Sequence, residues 1–443
     1  MRDFRRFCGI WKLGLSQFLQ PSDNRDREFW KSTIGRGSVY IMRKSWIKGL
    51  GMTLAAALWI GGTAGPAAPA SAAGSGFTDV KSSHWAASSI AAGVTKGYVS
   101  GYTNGTFKPE ASISRAEFVK MVVSALGLEV GGASGKWYAP YVTAAAEKGL
   151  YTAADFANSD AAWSQTITRA EMARIAARAA GETATENDKW MYLATKKGLI
   201  TGLGKGELGL NEATSRAQSV VIIERILSAK AGKKLSVDSY AVGSAEIAWH
   251  GTNIFTVMPE VWRTTSGKYA MTAKDSPEEL WDEEAMTITS KNGKYKAQLD
   301  AVIAIDLEDP KDPNLKLLPP IEKLKWFNNR PSIKNLMVAD WKKSYIVYFK
   351  KHTIFNNDPD HYGNELTAYM TGFASNDDAF YNGTLNNAAN VYLNKWDDFP
   401  AQILPKTGWT NDYGLKISIN TPAGSQAFYS HNTIFSIQGN KSQ

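Results

Sequence analysis

Ser114-Arg115-Ala116-Glu117, Thr168-Arg169-Ala170-Glu171 and Ser215-Arg216-Ala217-Gln218 each open a run with helical periodicity. A hydroxyl at the N-cap with Glu or Gln three residues on is a capping box, in which each side chain satisfies a backbone N–H left free by the first turn. The three quartets therefore predict three helix starts. Behind them apolar residues recur every three to four positions: Phe118, Met121, Val122 and Leu126; Met172, Ile175 and Ala176; Val220, Ile223 and Leu227. One face of each helix is expected in a core.

The Arg of each box has no capping role and sits near the positive end of the helix dipole, where a guanidinium is mildly unfavourable. Two uses remain open. A helix N-terminus with an added Arg fork can receive a carboxylate or phosphate, because free N–H groups, dipole and bidentate charge point the same way. Alternatively the Arg pairs with a neighbouring Glu. Three occurrences in register favour the anion receptor.

The register extends upstream. Gly97, Gly149 and Gly198 each close a helix-like stretch and precede Arg115, Arg169 and Arg216 by 18, 20 and 18 positions. A unit of about 50 residues thus repeats. In the first unit the intervening stretch is Ser100-Gly101-Tyr102-Thr103-Asn104-Gly105-Thr106-Phe107-Lys108-Pro109, preceded by Phe77-Thr78-Asp79-Val80 and His84-Trp85-Ala86. This pattern closely resembles the S-layer homology (SLH) repeat of bacterial surface proteins. The resemblance divides the chain into units at residues 77–130, 131–182 and 183–232, with 233–443 as linker and unrecognised domain.

The resemblance implies a mostly α-helical, pseudo-threefold triplet that docks non-covalently to a pyruvylated secondary cell-wall polysaccharide, in grooves between adjacent repeats. It would make Arg115, Arg169 and Arg216 the anion ligands, with Ser114, Thr168, Ser215, Glu117, Glu171 and Gln218 shaping the helix starts and Gly101 and Tyr102 belonging to the recognition loop. Two units depart from the pattern. Tyr151 to Gln165 contains neither Gly nor Pro, and the third unit has Leu208 and Leu210 where an aromatic residue and Pro are expected. The first unit, with its complete loop, is thus expected to hold the best site, read with its own Arg115. Trp85 and Trp137 precede their glycines by 12 residues each, Trp190 by only 8; the first two read as core anchors.

Residues 42–72 read as a secretory signal: a basic start from Met42, an apolar run from Leu50 to about Ala64, and Ala70-Ser71-Ala72 as an A-x-A cleavage site. Residues 1–41 would then be an extension upstream of the true start. The apolar run is shorter than the roughly 18 residues of a spanning helix, so no stable membrane span is expected after processing. Removal of residues 1–72 takes 11 of the 50 Lys+Arg and 4 of the 42 Asp+Glu, leaving 39 against 38. The net charge of +8 therefore argues nothing about nucleic acid, and no nucleic-acid partner is expected. Cys8 is the only cysteine, which excludes an intramolecular disulfide. The expected location is the cell wall or S-layer surface of a bacterium of Gram-positive type.

Beyond a polar stretch from Ser228 to Ser236, read as a linker, the pattern turns to short strand-like runs: Ile254 to Met258, Ala301 to Leu307, Tyr345 to Phe349, Thr367 to Phe373, Gly414 to Ile419 and Ile434 to Ile437. Ser276 to Glu284 reads as an acidic helix. The fold class is therefore multidomain, the helical triplet followed by a β-rich or α+β domain. Leu404-Pro405-Lys406-Thr407-Gly408 has the letters of a sortase signal but lacks the hydrophobic span that must follow. Asp358 to Gly363 and the Asp306, Glu308, Asp309 and Asp312 group read as solvated turns rather than metal cages. Neither a catalytic residue, a metal nor a cofactor is assigned. Three functions remain for the second half: a structural or binding module of a non-enzymatic surface protein, an anchored extracellular enzyme acting on wall or environmental polysaccharide, or a carbohydrate-binding domain.

Overall fold

The computed structural model describes residues 76–132, 135–262, 276–327, 336–395 and 398–437. The signal segment, Cys8 and Trp396 lie outside the described residues. The first half holds α1 (Ala87–Thr95), α2 (Arg115–Ala125), α3 (Ala139–Glu147), α4 (Asp160–Ser164), α5 (Arg169–Ala179), α6 (Lys189–Lys196) and α7 (Arg216–Lys230). The three expected helix starts are α2, α5 and α7, and each carries a complete capping box. Phe118, Val122, Met172, Ile175, Ala176, Val220 and Ile223 are buried in one core, with Met121, Leu126 and Leu227 packed against it.

A ring of backbone hydrogen bonds joins the segments that precede these helices. Ile113 N–H donates to Thr214 O, Thr214 N–H to Ile167 O and Ile167 N–H to Ile113 O, each at 3.0 Å. All three residues are inaccessible to solvent. Each segment is too short to pair as a sheet, yet in a ring each of the three backbone N–H groups finds a carbonyl, as burial demands. The ring sets each Arg-bearing helix start against the loop of a neighbouring unit.

The polar stretch after α7 is not a free tether. Ser228 to Lys230 complete the helix, Leu235 packs on the first core, and α8 (Ser239–His250) adds Ala241, Val242 and Ala245 to that core. Further along α8, Ile247 packs on the β half. Asp238 caps α8 and also accepts the N–H of Gly202 at 3.0 Å, so one carboxylate holds the helix and the third unit's loop together.

The second half is built on β1 (Thr287–Thr289), β2 (Tyr295–Asp306), β3 (Lys325–Trp326), β4 (Ser344–Asn356), β5 (Thr367–Thr371), β6 (Ala389–Tyr392), β7 (Ala401–Pro405), β8 (Lys416–Asn420) and β9 (His431–Ser436). One antiparallel sheet has the order β1-β2-β4-β7-β6-β3, a second the order β5-β8-β9. Apolar clusters cover both faces of the larger sheet. β2 serves both, and the register shift between Leu299 and Ala301 exchanges its faces: Tyr295, Ala297 and Leu299 and then Val302 and Ala304 face one cluster, Ala301, Ile303 and Ile305 the other.

Two expectations fail here. Ile254 to Met258 is helical, α9 (Ile254–Val257), followed by α10 (Pro259–Trp262). The buried Glu246 carboxylate accepts the N–H of Phe255 and the hydroxyl of Thr256, which supports a helical turn where a strand would leave that acid unmatched. Ser276 to Glu284 forms two separate 3₁₀ turns, Pro277–Leu280 and Glu284–Met286, because between them Asp282 N–H is bound to Ile434 O of β9 at 2.8 Å. The last helix is α11 (Asp377–Tyr381). Among the described residues no helix is long and apolar enough to cross a membrane.

Candidate functional site

The three boxed arginines reach across unit boundaries in a cycle. Arg115 faces the second unit's loop, Arg169 the third's and Arg216 the first's. Arg216 Nε donates to Phe107 O at 2.9 Å and Nη2 to Ser100 O at 3.1 Å. Arg169 repeats this with Leu208 O at 2.7 Å and Thr201 O at 2.8 Å. The complete glycine loop of the first unit is therefore served by Arg216. Arg115, the partner expected from its own unit, stands elsewhere.

The free N–H groups expected at the helix starts are largely taken. Arg216 N–H donates to Ala111 O, Ala217 N–H to Pro109 O and Gln218 N–H to Ser215 Oγ. At α5 the N–H groups of Arg169, Ala170 and Glu171 likewise bond to Glu212 O, Leu210 O and Thr168 Oγ1. What remains for an external anion is the guanidinium itself. Here the junctions differ.

Arg115 is spent inside the protein. It grips Glu171 through Nε (3.0 Å) and Nη2 (2.5 Å), while Nη1 donates to Ala162 O and Gln165 Oε1. Four of its five donors are thus used. Its loop is filled by a cluster of Tyr151, Phe156 and Trp163 with centroids 4.8–4.9 Å apart, and Phe156 lies under the guanidinium at 4.5 Å. Asp155 anchors the same loop against Arg174 and Arg178. Burial raises its carboxyl, but the Arg178 hydrogen bond, the Thr152 amide and both guanidiniums hold it below the usual carboxylate range.

Arg169 is 3% exposed, and burial pulls its guanidinium below its ordinary value. The third loop nevertheless keeps the first loop's backbone. Leu203 N–H donates to Glu207 O as Tyr102 N–H does to Thr106 O, both at 2.8 Å, and Gly105 and Gly206 have φ of 77° and 75°. Leu203, Leu208 and Leu210 replace Tyr102, Phe107 and Pro109 without changing the turn, since the glycines set it. The side chains are what the third junction lacks.

Arg216 is partly exposed and keeps three N–H donors without a protein partner among the described residues. Its guanidinium lies 4.7 Å from the Phe107 ring and 5.1 Å from that of Tyr102, which is 41% exposed. Lys108 Nζ sits 4.4 Å from the same Tyr102 ring. Two cations thus lie against the ring of one partly exposed tyrosine. Gly101 is required there, because a Cβ would stand 2.2 Å from the Phe77 ring and 2.7 Å from Thr106 O. Asp79 accepts the N–H groups of Phe107 and Lys108 at 2.8 and 2.7 Å and fixes the far end of the loop. Sequence reasoning quoted Asp79 and Lys108 without assigning them a role; the φ of +57° at Lys108, which turns it toward Tyr102, has no sequence signal.

Trp85 and Trp137, expected as core anchors, are 58% and 51% exposed, whereas Trp190 is buried. The segments that follow them turn other residues inward: Ala86 and Ile90 are buried in the first unit and Val142 in the second.

In the β half, Lys406 of the sortase-like letters is bound to Asp306 and Glu308 at 2.9 Å each, and Leu404 and Pro405 are buried in β7. Asp312 accepts the N–H groups of Asp306 and Asn314, and Asp309 accepts the Tyr240 hydroxyl at 2.6 Å. Asp358 pairs with His361 at 2.7 Å. Among the described residues no group of three or more His, Cys, Asp or Glu side chains is placed to hold a metal ion.

Residues 76–119 match the S-layer homology domain family. Over 95 residues the chain is 35% identical to S-layer protein EA1 of Bacillus anthracis and 35% identical to an S-layer protein of Bacillus licheniformis. Each of these alignments covers 20% of this chain and 11% of the relative. Over 47 residues it is 43% identical to cell surface glycoprotein 1 of Acetivibrio thermocellus, covering 11% of this chain and 2% of that protein. The chain thus spans about a tenth or less of the length of these relatives.

Proposed function

We propose that this chain is a bacterial surface protein held non-covalently on the cell wall by three SLH units, and that the carboxylate of a pyruvylated wall polysaccharide binds at the Arg216 junction. One observation carries this reading: Arg216 is the boxed arginine that combines unused donors with exposure, since Arg169 makes the same two bonds but is 3% exposed, and it stands beside an exposed Tyr102 and the added charge of Lys108. A ketal-linked pyruvate is a fixed carboxylate on a sugar ring. A guanidinium fork matches the carboxylate and an aromatic face the ring. The family match over residues 76–119, which contain the whole Tyr102 loop, supports the same junction. Arg115 and Arg169 on this reading hold unit to unit, and the β half is a structural or binding module.

Sedimentation with purified walls tests it. Wild-type protein should pellet with native walls and stay in solution once the polymer is stripped or de-pyruvylated. Arg216→Ala should weaken binding about 10- to 100-fold, the worth of a charge-assisted hydrogen bond. Undiminished pelleting with stripped peptidoglycan would refute the polymer as partner.

A further inference from the structure

We infer that Trp85 is the platform of a second sugar subsite, taking the pyranose ring next to the one whose carboxylate meets Arg216. This rests on the reading of the Arg216 junction given above. The Ser100–Glu110 segment has two ends. Near one, Tyr102 lies beside Arg216. At the other, Glu110 Oε1 lies 3.2 Å from His84 Nε2, and the His84 ring stacks on Trp85 at 5.6 Å and 29°. His84 Nδ1 in turn accepts the N–H of Ala86 at 3.1 Å, so both nitrogens of the supporting imidazole are fixed.

Glu110 lies between Pro109 and Ala111, whose carbonyls bind the first two N–H groups of α7. Trp85 is thereby tied through His84 and Glu110 to the helix start that carries Arg216. A large indole left 58% in water forfeits burial that the adjacent core could offer, and a preoriented, exposed ring is the geometry that sugar C–H faces pack against. A lone exposed apolar residue would need no explanation. Trp85 differs in resting on an imidazole whose two nitrogens are both bonded and which is linked through Glu110 to the segment that meets the start of α7. Trp137 is comparably exposed in the second unit, but its junction is the one whose guanidinium is spent on Glu171. It serves as an internal control.

Calorimetric titration of the mature full-length chain separates the claims, with two probes: a monosaccharide bearing a ketal-linked pyruvate and a trisaccharide ending in the same sugar. Trp85→Ala should raise the Kd for the trisaccharide about tenfold, leave the monosaccharide within about twofold, and be largely rescued by Trp85→Phe, with Trp137→Ala silent. Unchanged trisaccharide affinity in Trp85→Ala would overturn the subsite. So would equal weakening of both probes with a lowered melting temperature, which would make Trp85 a support for the loop. Arg216→Ala that still binds the monosaccharide would instead sink the reading of the junction itself, whatever Trp85 does.

Discussion

The Arg216 and Arg115 junctions begin from the same four-letter box and end as different objects. Around Arg216, a Gly-rich loop offers two carbonyls and two aromatic rings to the guanidinium, so two donors are used and three keep no protein partner among the described residues. Around Arg115, a loop without Gly or Pro forms α4, brings Ala162 O and Gln165 within reach and leaves Glu171 to complete the cage. An arginine at a helix start is therefore left with open donors or riveted according to what the neighbouring loop offers it.

The largest effect should come from unriveting the second unit. Asp155→Asn leaves Arg174 and Arg178 without their carboxylate in a nearly closed site, and a loss of about 3–5 kcal/mol is expected in chemical denaturation. The same acid predicts a pH effect. Its folded pKa lies below the unfolded value of about 3.9, so its contribution is present above that value and lost as pH falls through the folded pKa. Wild-type melting temperature should drop more steeply below about pH 4 than that of Asp155→Asn.

Exchange of roles between the two arginines would break the comparison outright. Arg115→Ala should cost about 3 kcal/mol of stability, because it strands a mostly buried Glu171, while the folded fraction retains wall binding. Arg216→Ala should cost about 1–2 kcal/mol of stability, yet remove most wall binding. Equal loss of binding in both would show that the loop does not select the competent junction.

Two glycines sharpen the contrast between an open unit and a covered one. Gly97 and Gly198 close equivalent helices at φ of 79° and 73°, but a Cβ at Gly97 meets nothing within 4 Å, whereas at Gly198 it would stand 2.7 Å from Ser236 O. Alanine should cost about 1 kcal/mol at Gly97 and about 2–3 kcal/mol at Gly198, where the segment leading to α8 must also move. Thermal melts decide this; equal costs would mean that the segment lies loosely on the third unit. The smallest effect is the cap. Ser114→Ala should lower stability by about 1 kcal/mol with wall binding unchanged, since Ser114 Oγ serves the Glu117 N–H in a unit whose arginine is internally bound.

Much of this was legible before any fold. The capping boxes, the helical faces behind them and the β-rich second half follow from local rules: a hydroxyl caps the turn it begins, and a period of 3.6 or 2 selects the element. Where sequence reasoning failed, a distant partner decided. Glu246 turned Ile254 to Met258 into helix, Ile434 divided Ser276 to Glu284 into two turns, and Leu235 with α8 made a polar linker part of a core.

The candidate site shows the same division. Sequence alone determined that three arginines recur at helix starts, that one loop has the full glycine pattern, and that this loop must turn sharply, because those properties depend on residues a few positions apart. It could not determine which arginine meets which loop, that Arg115 is consumed by Glu171, or that Trp85 lies outside the core. The first two depend on the Ile113, Thr214 and Ile167 ring, which joins residues 47 to 101 positions apart and passes each arginine to a neighbouring unit. A guanidinium's availability is what remains after its neighbours have accepted its hydrogen bonds, and only the tertiary structure says who those neighbours are.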